Sequence, residues 1–394
     1  MAFSDYGTIT TNHKLNKLYY NGKFLEGQEN YVVLDQFAKR QNNTDIPVNE
    51  GEQVEFTRVA PYAKKRTPLT QGENPNATKT YGNTVKATVL EYGDYIKPSK
   101  KFWITNMDKN LTENAFEMGK AAASTVDSLI WEKIAEGGIG IRADGDANES
   151  GSRPIASGST TTRIKWTGAM SGLANGDTGV VVFMTGKNAG LSREFTCDAT
   201  NPTTEAVVAA LDHAPEANDI IRLCTTAGMT TGDKVTAELI RKAVALLEST
   251  GTPPFDDGFY HASYDPLQKY DFQRDSEWTN AQHYAAPKNL FRNLEGELYG
   301  IRFHKNLTPY RHTAGTIGTY VESGAVYVLS IFGKGAFGNV RVKGVNRKFY
   351  ICPPVADPNN PLAMFGTMGW YELCCPVVLD GRRIVNIFNV PTDV

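Results

Sequence analysis

Residues Val54 to Gly138 constrain this chain more than any other stretch, because a long polar hairpin runs directly into one long helix. The outgoing arm reads V-E-F-T-R-V (Val54–Val59). The tip reads K-K-R-T-P-L-T-Q-G-E-N-P-N-A-T-K-T (Lys64–Thr80), and the return arm N-T-V-K-A-T-V-L-E-Y (Asn83–Tyr92). Val85, Ala87 and Val89 alternate with Thr84, Lys86 and Thr88, the period of a half-buried strand. At about 3.3 Å per residue that arm extends roughly 30 Å. A two-stranded ribbon is marginal alone in water, so a chain that projects one this long is expected to lay it on another molecule. The pattern points to self-assembly rather than catalysis.

The helix follows from spacing. Asn110 and Glu113 stand at the separation of a capping box. Leu111, Ala115, Met118, Ala122, Val126, Leu129 and Ile130 then recur at three- and four-residue steps, and Gly137-Gly138 stop the run. About 26 residues span roughly 39 Å at about 1.5 Å each. The Ala121-Ala122-Ala123 run lets another element pack close.

Composition narrows the function classes. The chain has 394 residues, 41% hydrophobic and 21% charged, enough for two or three domains around a sizeable core. A net charge of −2 argues against a surface that grips nucleic acid through its phosphates. No apolar run reaches membrane-spanning length, and M-A-F-S-D-Y-G at the start is unlike a signal peptide. The five cysteines, Cys197, Cys224, Cys352, Cys374 and Cys375, do not read as a disulfide framework. Synthesis in a reducing cytoplasm fits them. The Asn-X-Thr triplets at Asn42, Asn76, Asn110 and Asn306 are then chance matches.

Residues 1 to about 50 read either as an extended arm or as a frayed terminus. Residues 140–231 are expected to form a β-rich insertion. A Gly-, Ser- and Thr-rich lead-in is followed by strand candidates at Arg163–Thr167, Gly179–Thr185, Leu191–Asp198 and Asp219–Thr225, with a short helix at Thr204–Asp212. A second amphipathic helix is predicted over Val235–Glu248. A third opens at Asp265-Pro266 and reaches about Trp278. Leu298–His304, Ala325–Phe332 and Val340–Val345 read as strands. Gly369–Leu379 and Arg382–Val390 flank Asp380-Gly381, the residue pair of a type I′ hairpin turn.

Motifs for chemistry are absent or isolated. Gly333, Gly335 and Gly338 make a G-x-G-x-x-G, but V-R-V-K-G-V follows instead of the helix that phosphate binding needs. Cys374 and Cys375 are adjacent in a strand, so they point to opposite faces and do not share a metal ion. The six histidines lack ligand spacing, and His261 with Asp265 reads as a polar pair at a helix start. Asp256-Asp257 and Asp144/Asp146 read as solvated loop charges. Neither a catalytic residue, a metal site nor a cofactor site is expected.

The segments I-P-V-N-E-G-E-Q-V-E-F-T-R (Ile46–Arg58), P-L-T-Q-G-E-N-P (Pro68–Pro75), E-Y-G-D-Y and P-S-K (within Glu91–Lys100), H-A-S-Y-D-P (His261–Pro266), G-E-L-Y-G-I-R-F (Gly296–Phe303), and D-P-N-N-P through G-T-M-G-W (Asp357–Trp370) carry a resemblance. The chain resembles tailed-phage major capsid proteins of the Hong Kong 97 fold, and within them the N-four-like podovirus group. The resemblance covers residues 30–138 and 232–394 and implies an α+β capsid fold with an inserted β-rich domain. It assigns 1–50 to an N-terminal arm and 51–97 to an extended loop over the adjacent subunit. Residues 98–139 form a peripheral domain with its spine helix, 140–231 the insertion, 232–350 an axial domain, and 351–394 the return to the peripheral domain. It implies pentamers and hexamers closing into an icosahedral head around double-stranded DNA. The partners it implies are copies of the chain itself, a scaffolding protein, a portal and a decoration protein. It implies assembly in the bacterial cytoplasm and residence in the virion. Arg58, Lys64, Lys65, Arg66, Leu69 and Glu73 on the extended loop become candidate inter-subunit contacts. An encapsulin-like compartment, a phage tail or decoration protein, and a hydrolase with a long lid are the rival readings.

Overall fold

A computed structural model describes residues 20–28, 31–38, 46–47, 51–62, 64–72, 74, 77–105, 110–145, 150–170, 172–274, 297–308, 310–318, 320–321, 323–343, 348–356 and 360–392. The chain divides into two compact units. The first comprises Met1–Val54, Thr88–Ile130 and Asn339–Pro376, and the second Glu55–Ala87, Trp131–Gly338 and Val377–Val394.

In chain order, helix α1 covers 20–28 and strands β1 (Gln53–Val59) and β2 (Gly82–Thr88) form a ribbon. Strand β3 (Leu90–Ile96), helices α2 (Lys100–Thr105) and α3 (Asn110–Gly137) and strand β4 (Ile139–Arg142) follow. Six short strands come next: β5 (Ser150–Pro154), β6 (Arg163–Lys165), β7 (Thr178–Phe183), β8 (Ser192–Cys197), β9 (Glu205–Val208) and β10 (Ile220–Thr225). Then come α4 (Ala237–Ser249), β11 (Tyr260–Tyr264), α5 (Pro266–Gln273), β12 (Glu297–Leu298), β13 (Ile301–Lys305) and β14 (Arg311–His312). The chain ends through β15 (Val326–Phe332), β16 (Phe337–Arg341), β17 (Lys348–Cys352), β18 (Thr367–Val378) and β19 (Ile384–Asn389). No described helix is long and apolar enough to cross a membrane.

The first unit is built on β18, which pairs antiparallel with β3 and β17. Phe349, Met368 and Trp370 share a core with Phe24 of α1 and with Leu111, Ala115, Met118 and Ala122 of α3, the apolar stripe that helical spacing predicts. Phe24 stacks on Phe349 with ring centres 4.9 Å apart. Helices α1 and α3 cross on two glycines: a β-carbon at Gly119 would overlap the Phe24 carbonyl, and one at Gly27 the Phe116 carbonyl. The buried Asp127 carboxylate accepts the Leu34 amide at 2.9 Å, which satisfies a charge that would otherwise be costly to bury.

The second unit holds two sheets. A seven-stranded sheet runs β12-β13-β11-β15-β19-β4, with β14 beside β15. Its strands β15 and β19 are buried at every position, which explains their near-continuous apolar runs. Helix α4 buries Leu239, Ile240, Ala243 and Leu247, and Thr236 caps it. Helix α5 opens with a capping box between Asp265 and Gln268. The six-stranded antiparallel sheet, β5-β10-β7-β8-β9-β6, has a separate core that includes Trp166, Phe183, Phe195, Ile221 and Leu223.

Four expectations are corrected. The C-terminal hairpin does not form: β18 pairs with β3 and β17, whereas β19 pairs with β15 and β4. Asp380 instead caps a short 3-10 turn, Gly381–Arg383, by accepting the Arg382 amide at 3.1 Å, and the local turn signal yields to long-range pairing. The helix expected at Thr204–Asp212 is strand β9, with Ala206 and Val208 turned into the core and Val207 outward. The return arm of the ribbon ends at Thr88; Leu90–Ile96 leaves the ribbon and pairs with β18. Val340–Val345 is shifted: β16 occupies Phe337–Arg341 and so begins inside the glycine motif, with no helix after it. The capping role of Asn110, the α5 extension toward Trp278 and most of residues 1–50 lie outside the described residues.

Candidate assembly surface

The ribbon has a fixed root and an exposed tip. At its root the Ala60 amide donates to Tyr81 O at 2.9 Å, and Lys86 pairs with Glu55 across the strands at 3.1 Å. Alternation puts Phe56 and Arg58 on one face of β1, and Asn83, Val85 and Ala87 on one face of β2. That face lies on the six-stranded sheet. Val85 packs against its core. The Asn83 amide donates to Lys187 O at 2.6 Å, and the Thr84 amide donates to the Asp212 carboxylate at 2.7 Å. His213 Nε2 and Gly82 O are 2.9 Å apart. Lys187 Nζ sits 4.7 Å from the centre of the Tyr81 ring, a cation–π contact.

Arg58 completes the root. Its guanidinium meets the Asp380 carboxylate at 2.7 Å. It lies across Gly190, whose φ of +87° and lack of side chain make the passage possible. Burial alone raises the Asp380 carboxyl, but Arg58 and Arg382 outweigh it and hold the group below its ordinary range. Burial in turn lowers the Arg58 guanidinium, partly offset by Asp380.

Beyond Ala60 the ribbon stops being a ribbon. Residues 61–80 contain no strand among those described, and every described one of them is exposed. Leu69 is 71% exposed and Tyr62 60%. Among the described residues, 61–72 make no backbone hydrogen bond to the rest of the chain. Tyr62 and Thr80 are joined through their hydroxyls at 2.9 Å. A structureless loop of this length in a compact unit is uncommon, and such loops are mostly functional.

The candidate contacts therefore separate. Lys64, Lys65, Arg66 and Leu69 lie together on the exposed tip, and none of the three cations meets a carboxylate among the described residues. Arg58 is committed to Asp380 at the root. Glu73 lies outside the described residues. The anchors Asn83, Asp212 and His213 were missed by sequence reasoning, because polar contacts across more than 100 positions leave no periodic trace.

His261 does not pair with Asp265. Its Nδ1 faces His304 Nε2 at 2.7 Å and its Nε2 faces Asp257 at 3.3 Å, while Asp265 caps α5 and meets Arg311 at 3.4 Å. Burial first, and the neighbouring His261 second, push His304 down to about 4, so this pair is neutral at pH 7. Among the described residues no cluster of His, Cys, Asp and Glu could hold a metal ion.

No protein-family model matches this chain, and no curated protein matches it in sequence. Solved structures do match. The capsid structure of the cyanophage P-SCSP1u superposes with a TM-score of 0.51 at 12% identity, covering 91% of this chain and 94% of that one. The capsid asymmetric unit of cyanophage Pam1 gives 0.51 at 11% identity, with 92% of each chain covered. The acidic stable capsid structure of Helicobacter pylori bacteriophage KHP30 gives 0.50 at 8% identity, with 89% of each covered. The fold is that of phage capsid proteins of the Hong Kong 97 type, a mixed α+β fold.

Proposed function

We propose that this chain is the major capsid protein of a tailed phage, a structural protein that builds a closed shell from many copies of itself. The exposed tip carries the reading. On a capsid-type fold, a ribbon whose root is anchored and whose tip touches nothing in its own chain is arranged to reach a neighbouring copy. Obligate interfaces bury about 2,000–5,000 Å², and many modest contacts per subunit add up through avidity in a closed shell.

In this proposal 51–97 is the extended loop, 98–139 with 351–394 the peripheral domain, 232–350 the axial domain, 140–231 an insertion domain and 1–50 an N-terminal arm. Pentamers and hexamers close into an icosahedral head around double-stranded DNA. Scaffolding, portal and decoration proteins are the further partners, and assembly takes place in the host cytoplasm. The near-balanced charge suits a wall that holds DNA without adhering strongly.

Negative-stain electron microscopy of the overexpressed protein, with and without phage lysate, tests this reading. Closed particles of uniform size are expected. A stable monomer under all assembly conditions sinks it, tubes or isolated trimers favour a tail or decoration role, and particles filled with protein cargo favour an encapsulin-like compartment.

A further inference from the structure

The outer face of the four-stranded sheet carries a groove that the shell reading does not use. The register places Tyr350, Gly369 and Tyr95 side by side across β17, β18 and β3, with Tyr371 and Gly93 side by side in the next row. Residues directly opposite in an antiparallel pair share a face, so three tyrosines surround two positions of bare backbone. A β-carbon at Gly93 would lie 2.7 Å from Trp370 O, and one at Gly369 2.7 Å from the Tyr95 β-carbon. No side chain can fill these slots without moving a strand. The result is an open pocket of about 480 Å³ whose lining includes Glu91 and Asp94. Tyr95 is 59% exposed and Tyr350 50%. The Tyr371 hydroxyl bonds to Glu91. Lys97 Nζ, from the same chain, stands 5.4 Å from the Tyr95 ring centre, so these rings already take a cation. Lys348 lies beside Tyr371 at the margin.

Grooves lined with exposed aromatic rings bind extended, proline-bearing segments, whose backbone is already stretched and loses little freedom on binding. The ribbon tip is such a segment. Pro61 and Pro68 bracket Lys64, Lys65 and Arg66, Leu69 follows, and all of these are exposed in their own chain. The cations match the ring faces and the two carboxylates; the prolines and Leu69 match the slots between the rings.

We infer that the tyrosine groove formed by β3, β17 and β18 receives the ribbon tip, residues 61–69, of a second copy of this chain. The inference rests on the shell reading and deepens it by naming the receiving surface. It also assigns work to Gly93 and Gly369, which keep the slots open, and to Tyr95, Tyr350 and Tyr371, which line them.

Cys352 allows a direct test, because it is exposed and lies two residues beyond Tyr350 on the same strand. Assembled particles of Leu69→Cys, oxidised with copper phenanthroline, should give covalently linked chains on a non-reducing gel. Mass spectrometry should place the disulfide between position 69 and Cys352, and adding Cys352→Ser should abolish it. Well-formed particles with no such link, or a link within one chain, overturn the docking while leaving the shell reading intact. Failure of the unmodified protein to form particles sinks the shell reading instead. A second measurement decides the docking even if the variant does not assemble. A labelled peptide of residues 60–72 should bind the unmodified protein in fluorescence anisotropy, and Tyr95→Ala/Tyr350→Ala should weaken it at least tenfold. Equal binding to that variant, no binding at all, or equal binding of an unrelated proline-rich peptide overturns the inference.

Discussion

Arg58 and Asp380, separated by 322 positions in the sequence, meet through an ion pair of 2.7 Å. One belongs to the ribbon and the other to the turn before the last strand. Their side chains keep only 20% and 8% of their accessible surface, so solvent screens the pair weakly.

Arg58→Ala should destabilise the second unit by about 1–3 kcal/mol, the usual range for leaving a buried polar group without its partner. Arg382 and Arg383 remain near Asp380, at 3.3 and 3.4 Å, and keep the cost below that of a fully orphaned charge. Because the Asp380 carboxyl is held below its ordinary value of 3.8, its contribution is present above that pH and is lost as pH falls through the lower folded value. Chemical denaturation between pH 3 and pH 7 checks both points. The variant should show a shallower loss of stability on acidification than the unmodified chain, and an unchanged acid limb would contradict the assignment.

Deleting Lys64–Thr80 should leave a folded subunit, since no described residue in that span is buried. Circular dichroism and the melting temperature should stay close to those of the full chain, while normal closed particles should be missing from micrographs. Regular particles from the deletion would remove the tip from the account of assembly.

Glu136 gives a second pH dependence, with the opposite sign. Burial first, opposed by Lys133 at 2.6 Å, pushes its carboxyl up to about 7. The folded chain therefore holds a proton that the unfolded chain has released between about pH 4.5 and pH 7, and stability falls as pH rises through that window. The slope attributable to one group is at most about 1.4 kcal/mol per pH unit. Urea midpoints should drop from pH 5 to pH 7.5, and Glu136→Gln should flatten the drop. An equally steep profile in the variant would place the effect elsewhere.

Gly119→Ala sets two effects against each other. Alanine in a helix interior normally gains about 1 kcal/mol over glycine. Here the added carbon would run into the Phe24 carbonyl, a backbone atom that cannot rotate away. Overpacking of this kind typically costs about 1–3 kcal/mol, so the clash should win. Thermal denaturation should show a lower melting temperature for Gly119→Ala, while Gly22→Ala, where no atom lies within 4 Å of the added carbon, should not show it.

What could be read in advance follows from the range of each interaction. Helix α3 was visible because Leu111, Ala115, Met118 and Ala122 repeat with the helical period and are all buried. Strands β7, β8 and β10 were visible because short apolar runs sit between glycine-rich turns. The fate of the C-terminal strands was not visible, because Asp380-Gly381 looks the same locally whether its flanks pair with each other or with distant partners. The ribbon root was hidden for a related reason. Arg58 reads as one more exposed charge until Asp380 and Gly190 are placed beside it. The expectation that residues 140–231 can be removed without harm also changes its cost, since Lys187, Asp212 and His213, which hold the ribbon, all lie inside that block.

Each polar attachment between the ribbon and the six-stranded sheet joins one side chain to one main-chain atom: Asn83 to Lys187 O, Asp212 to the Thr84 amide, His213 to Gly82 O. Every amino acid supplies a carbonyl, and every one but proline an amide. Half of each fastening is thus indifferent to mutation, and lineages can rewrite most of their letters while the mooring stays in place.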